Sequence, residues 1–171
     1  MAYCKIVGAL DNALQKLLIV LMALLLLDVT WQVLTRFLLT NPSSFTEELA
    51  RFLLIWIGLL GSAHAYRHKM HLGVDIVVKS LSPKVSGFIA KIVQLITIAF
   101  SASVLVYGGT KLLLLAVYLE QKSPAMQLNM GIVYFALPLS GILLVLFAIE
   151  HMLTDTRFEN NEIPVLDEEK L

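Results

Sequence analysis

The chain has 171 residues, 58% of them hydrophobic and 15% charged, and its mean hydropathy is +0.80. Soluble domains average about 45–50% apolar and about 25% charged residues, so a water-soluble fold of this length could not bury so much apolar surface. The 13 basic residues balance 13 acidic ones and there is one cysteine, which excludes a nucleic-acid binder, a disulfide scaffold and a disordered chain. The composition is that of an all-α integral membrane protein.

A membrane helix needs roughly 20 mostly apolar residues to cross about 30 Å of hydrocarbon. The first such span is about residues 13–39, with an apolar core at Leu17–Leu27. That core continues into Asp28–Leu39 with no small-residue cleavage site, which predicts a retained anchor and not a cleaved signal. Cys4 does not follow an apolar run, so it reads as a lone thiol near the membrane surface. Inside the span, Asp28, Gln32 and Thr35 recur at i, i+4 and i+7, with Arg36 beside them. A charged group costs about 2.5 kcal/mol or more at mid-depth, so this stripe should turn away from lipid. It suits a hydrogen-bonded seam, either within the bundle or against another membrane subunit. A proton or cation pathway is the other reading.

The second span covers 45–66. Asn41-Pro42 breaks the chain before it, and Ser44-Phe45-Thr46-Glu47 fits a capping box at its start. Glu47 and Arg51 lie one turn apart and can pair on one face, either as an interfacial ion pair or as a contact surface for an external partner. Residues 72–82 are too short to span. There Asp75, Lys79 and Ser82 share a face, with Val74, Val77, Val78 and Leu81 around the rest, the pattern of a short amphipathic helix lying in the membrane surface.

Ser82-Pro83 then starts the third span, 85–118. Pro83 to Glu120 is 38 residues, about 57 Å of helix. The bilayer needs about half of that, so this helix must tilt, break or protrude. Gly108-Gly109 is the expected bend, and Lys111 just beyond is expected to snorkel at the external interface. The fourth span is 130–153, and Pro138 should kink it. Residues 1–153 thus form a four-span membrane bundle, and 154–171 an acidic tail with few apolar anchors.

Lys and Arg favour the cytoplasmic side of a membrane. Lys5, Lys16, Arg67, Lys69, Lys79, Lys84, Lys91, Arg157 and Lys170 fall on one side, against Arg36, Arg51, Lys111 and Lys122 on the other. Both termini and the connection between spans two and three are therefore expected in the cytoplasm. The chain has no room for a nucleotide-binding domain and no Gly-rich phosphate loop, so it does not hydrolyse ATP.

His64, His68 and His71 share a helical face at i, i+4 and i+7. Arg67 and Lys69 crowd that face with positive charge, and no carboxylate completes a ligand set before Asp75, so no metal is expected. His64 and His151 both lie near the cytoplasmic ends of their helices, where a bis-histidine haem is conceivable. Glu150, at the cytoplasmic end of the fourth span, can reach water. No Ser/His/Asp or Cys/His arrangement and no deep carboxylate pair is visible, which leaves a catalytic site without residues.

The stretch Phe45-Thr46-Glu47-Glu48-Leu49-Ala50-Arg51-Phe52-Leu53-Leu54-Ile55-Trp56, continuing through Gly58, Gly61-Ser62-Ala63, Arg67-His68-Lys69 and His71-Leu72-Gly73-Val74-Asp75, resembles a known family. A second match is Ser123-Pro124-Ala125-Met126 with Tyr134-Phe135-Ala136-Leu137-Pro138-Leu139-Ser140-Gly141. Over about residues 10–153 the chain resembles the small membrane subunit of tripartite ATP-independent periplasmic (TRAP) transporters. The resemblance implies a non-catalytic, cofactor-free subunit in a bacterial inner membrane, unfused to its large partner. That large, sodium-coupled elevator subunit would carry an organic acid anion, such as sialic acid or a C4-dicarboxylate, delivered by a periplasmic binding protein. It further implies that Glu47, Glu48 and Arg51 face the binding protein, and that Arg67, Lys69, His71 and Asp75 form a membrane-surface motif. Association with the large subunit is expected through Gly58, Gly61, Ser62 and Ala63 and through the stripe of Asp28, Gln32 and Thr35, because lipid supplies no hydrophobic drive for helix association. Two alternatives remain at this stage: a haem-carrying anchor of a membrane oxidoreductase, and a small self-sufficient transporter using Asp28.

Overall fold

The computed structural model describes residues 2–38, 44–68 and 83–159. Its elements are α1 (Ala2–Leu38), α2 (Ser44–Arg67), α3 (Pro83–Phe100), a π-helical stretch (Ser101–Gly108), α4 (Gly109–Tyr118), a short α5 (Gly131–Tyr134) and α6 (Ala136–Glu159). Among the described residues, four stretches are long and apolar enough to cross a membrane: Val7–Leu38, Ser44–Arg67, Lys91–Tyr118 and Gly131–Met152. The surface helix expected over 72–82 and the tail beyond residue 159 lie outside the described residues. α6 runs to Glu159, past the expected end of its span.

α6 forms the centre of the bundle and packs against every other described element. Half of its most apolar stretch is buried within the chain, whereas none of the corresponding stretch of α1 is. Leu143, Leu144 and Phe147 of α6 meet Leu60 and Ala63 of α2, and Val7 and Leu14 of α1 close the cluster. α1 lies mainly along α2. Its outer surface, with Ile19, Leu26, Leu27 and Phe37, stays exposed, as suits a helix that meets lipid or another membrane chain.

The overlong third span is helical throughout, and the expected bend at Gly108-Gly109 is not there. Both glycines keep ordinary helical angles, with φ of −64° and −62°. The irregularity lies upstream, in the π-helical stretch, where the Gly109 N–H reaches back to the Val104 carbonyl five residues earlier. Gly109 serves close packing instead. A Cβ there would stand 2.7 Å from Leu137 Cβ and 3.1 Å from Pro138 Cδ. On the facing helix, a Cβ on Gly141 would stand 2.7 Å from Leu105 Cβ and 3.1 Å from the Val106 backbone nitrogen. Gly109 of the third span and Gly141 of the fourth thus permit the close approach of the two helices.

Pro138, expected to kink the fourth span, does so by breaking it near its start. It occupies the first turn of α6, where a missing N–H costs little. The chain is interrupted just upstream, at Phe135 between α5 and α6, because proline cannot donate to the carbonyl four residues back. Lys111 is exposed at the surface, its ammonium 4.5 Å from the Tyr107 ring centroid.

These glycine contacts give a direct test. Gly141→Ala should destabilise the detergent-solubilised chain by about 1–3 kcal/mol through overpacking, seen as a lower melting temperature. Gly58→Ala adds a Cβ that meets nothing within 4 Å and should leave the melting temperature unchanged or raise it, since alanine is the better helix former.

Candidate functional site

α1 begins, and α2 and α6 end, at the same end of the bundle. His64 and Arg67 lie in the last turn of α2 and His68 directly follows it, its N–H still donating to the His64 carbonyl, so the three share one face at i, i+3 and i+4. That face meets Asp11 of α1, whose side chain is 6% exposed. His64 Nδ1 lies 2.8 Å from Asp11 Oδ1, and His68 Nε2 lies 3.0 Å from Oδ2. Arg67 Nη1 contacts the same Oδ2 at 2.6 Å. The rest of the guanidinium grips Glu150 of α6, with Nε donating to Oε2 at 2.8 Å and Nη2 to Oε1 at 3.2 Å. The guanidinium carbon stands 5.5 Å from the centroid of the Phe147 ring. One planar cation thus ties three helices, a geometry that lysine's point charge could not reproduce.

Sequence reasoning missed both carboxylates of this network. Asp11 precedes the expected first span, and Glu150, expected to reach water, has a side chain only 12% exposed. A signal for Asp11 existed: Val7, Asp11 and Leu14 fall at i, i+4 and i+7 and are all buried. The histidine face therefore gains the carboxylate that sequence spacing placed no nearer than Asp75. His71, Lys69 and Asp75 lie outside the described residues.

At the opposite end, α4 stops at a Schellman turn. Gln121 N–H donates to the Ala116 carbonyl and Glu120 N–H to Val117, with Glu120 at a left-handed φ of 47°. The following loop folds on itself through paired Lys122 and Asn129. Glu48 of α2 enters this loop. Its carboxylate accepts from Ser123 Oγ at 2.8 Å, from Ala125 N–H at 3.1 Å and from Met126 N–H at 2.9 Å. Glu48 is therefore buried and committed to the chain's own loop, while its neighbours Glu47 and Arg51 stay outside. Those two pair at 3.1 Å with side chains 64% and 63% exposed.

Beside the loop, Trp56, Val117, Ile132 and Phe135 line an open apolar groove. In mid-bundle, Asp28 and Thr35 are buried within this chain and Gln32 half-buried, with Thr35 Oγ1 donating to the Gln32 carbonyl at 3.0 Å. Asp28 Oδ2 is buried with no hydrogen-bond partner among the described residues. Ala63 is fully buried in the chain's own core. Gly58 is exposed and Gly61 half-buried, each with open space where a Cβ would be. His151 sits edge-on to Tyr66 with ring centroids 5.7 Å apart.

The two kinds of charge pair should respond differently to mutation. Arg67→Met strands two mostly buried carboxylates and should cost about 3–5 kcal/mol. Arg51→Met removes a solvent-screened pair worth at most about 1 kcal/mol. Thermal melting of both variants in the same detergent checks the contrast.

The family model for tripartite ATP-independent periplasmic transporters, DctQ component, matches residues 25–158. A Haemophilus influenzae protein named as a TRAP transporter small permease is 28% identical over 152 residues, 87% of this chain and 91% of that protein. The sialic acid TRAP transporter small permease SiaQ of Vibrio cholerae is 30% identical over 105 residues, 61% of each chain. The C4-dicarboxylate TRAP transporter small permease DctQ of Rhodobacter capsulatus is 28% identical over 101 residues, 58% of this chain and 44% of that one. A transporter family that is not a family of enzymes displaces the oxidoreductase-anchor alternative built on His64 and His151. With four apolar helices and a family match over most of its length, the chain belongs to the DctQ family, the small permease subunits of TRAP transporters.

Proposed function

We propose that this subunit is the fixed brace of a sodium-coupled TRAP importer, holding the large elevator subunit and helping to dock the periplasmic binding protein. The observation that carries this reading is the cross-tying of both bundle ends. Arg67 joins α1, α2 and α6 at one end, and Glu48 binds the 123–126 loop to α2 at the other. A chain locked at both ends suits a stationary support better than a moving carrier. On this reading the protein lies in a bacterial inner membrane with the Asp11–Arg67 end in the cytoplasm and the Glu48 loop outside, an orientation that the lysine and arginine asymmetry supports.

On this reading Glu47 and Arg51 are the docking charges, and Glu48 shapes the surface that carries them. The large subunit packs on the face holding Gly58 and Gly61, where helix backbones can come close. The Asp28, Gln32 and Thr35 seam supports that interface from within by fixing α1. Arg67, together with Lys69, His71 and Asp75, anchors the cytoplasmic surface. The cargo is an organic acid anion of the sialic acid or C4-dicarboxylate kind, carried by the large subunit. The groove beside Trp56 is too apolar to hold such an anion.

Proteoliposomes containing both membrane subunits and supplied with binding protein provide the test. The double reversal Glu47→Arg with Arg51→Glu should lower uptake roughly tenfold by weakening encounter and register, with the large subunit still co-purifying. Normal uptake would count against the docking role. Gly58→Leu should instead reduce recovery of the large subunit while the isolated chain melts as before; undiminished recovery would remove Gly58 from the interface.

A further inference from the structure

We propose that Asp11, His64 and His68 form a binding site for a divalent transition-metal ion of the Zn2+ type, pinning α1 to α2. The three ligand atoms, one carboxylate oxygen and one nitrogen from each imidazole, lie within 4.8 Å of one another. A tetrahedral Zn2+ with bonds of about 2.0–2.1 Å keeps its donors about 3.4 Å apart. His64 Nδ1 lies 2.8 Å from Asp11 Oδ1 and His68 Nε2 lies 3.0 Å from Oδ2, so rotation of the Asp11 carboxylate with outward movement of the rings brings one oxygen and both nitrogens to that spacing. The histidines are one turn apart at the end of α2, their rings are 4.5 Å apart between centroids, and a nitrogen of each faces the Asp11 carboxylate. Two imidazoles and one carboxylate, with water in the fourth position, make a recognised donor set for zinc. The His68 side chain is 46% exposed, which gives the ion an access route from the aqueous end.

Arg67 competes for the site, because its Nη1 touches Asp11 Oδ2. It can yield that contact without losing its partner, since Nε and Nη2 hold Glu150 in a two-pronged grip. Glu150 then remains beside the site as a counter-charge to both cations. The site rests on the α1–α2 contact alone and is independent of the transport reading.

The test uses the full chain in detergent with a histidine-free affinity tag, Co2+ as the spectroscopic probe and Zn2+ as the competitor. The expected result is one equivalent of Zn2+ bound, four-coordinate Co2+ absorption bands in the visible that Zn2+ abolishes, and a melting temperature raised by Zn2+. Loss of a supporting residue around a bound metal already weakens affinity about 10–100-fold, so His68→Gln, which removes a ligand, should weaken it at least about tenfold. The His64→Gln with His68→Gln double variant should abolish the bands. Zn2+ uptake no greater in the wild type than in the double variant would overturn the site. So would a Co2+ spectrum that stays that of the hexaaqua ion, a result that needs no variant to fold. His68→Gln alters a half-exposed ring, and unchanged affinity there would overturn it as well.

Discussion

The bundle depends on what becomes of the Arg67 guanidinium. A permanent cation at the edge of an apolar bundle must be paired, and here it is paired twice, with carboxylates from two other helices. Those carboxylates in turn need Arg67, because either one left alone among buried neighbours would be an uncompensated charge. Hydrophobic matching alone would let α1 slide or rotate along α2, since much of its length is uniformly apolar and outward-facing. The directional hydrogen bonds at Asp11 remove that freedom. Register between α1, α2 and α6 is therefore a polar decision inside an apolar structure.

Packing further along the bundle rests on absent atoms. Where α6 crosses the third span, Gly109 and Gly141 let backbones approach at distances that any Cβ would block. Without a hydrophobic drive between helices in lipid, such close contact is the main source of attraction. The π-helical stretch lies along this same crossing, and Gly141 packs on its Leu105 and Val106. The distortion and the glycine thus belong to one contact surface.

The spans were legible because twenty-odd apolar residues with few charges have one physical use, and the Glu47–Arg51 pair was legible because one helical turn brings them together. Partners far apart in sequence were not. Asp11 meets His64 across 53 positions, and Glu48 meets Ser123 across 75. No local periodicity encodes either pairing. Glu48 shows the limit well: two adjacent glutamates looked equivalent, yet helix geometry turns one to solvent and the other into the loop. Gly109 shows another, since a glycine that permits a bend and one that permits contact look the same in sequence. The two stretches that carried the family resemblance, around Glu48 and at Ser123 to Met126, prove to be bonded to each other. The family pattern therefore marks a tertiary contact that neither stretch could reveal alone.

α2 is one unbroken helix of 24 residues, with Glu48 near its first turn and Arg67 at its last. About 28 Å of stiff helix separates the two. Both are tied by several hydrogen bonds to parts of the chain beyond α2. A push on the 123–126 loop therefore cannot be absorbed locally: it loads Glu48, travels down α2 as a strut, and arrives at the joint where α1 and α6 are fastened. The opposite faces of this small bundle are mechanically in series.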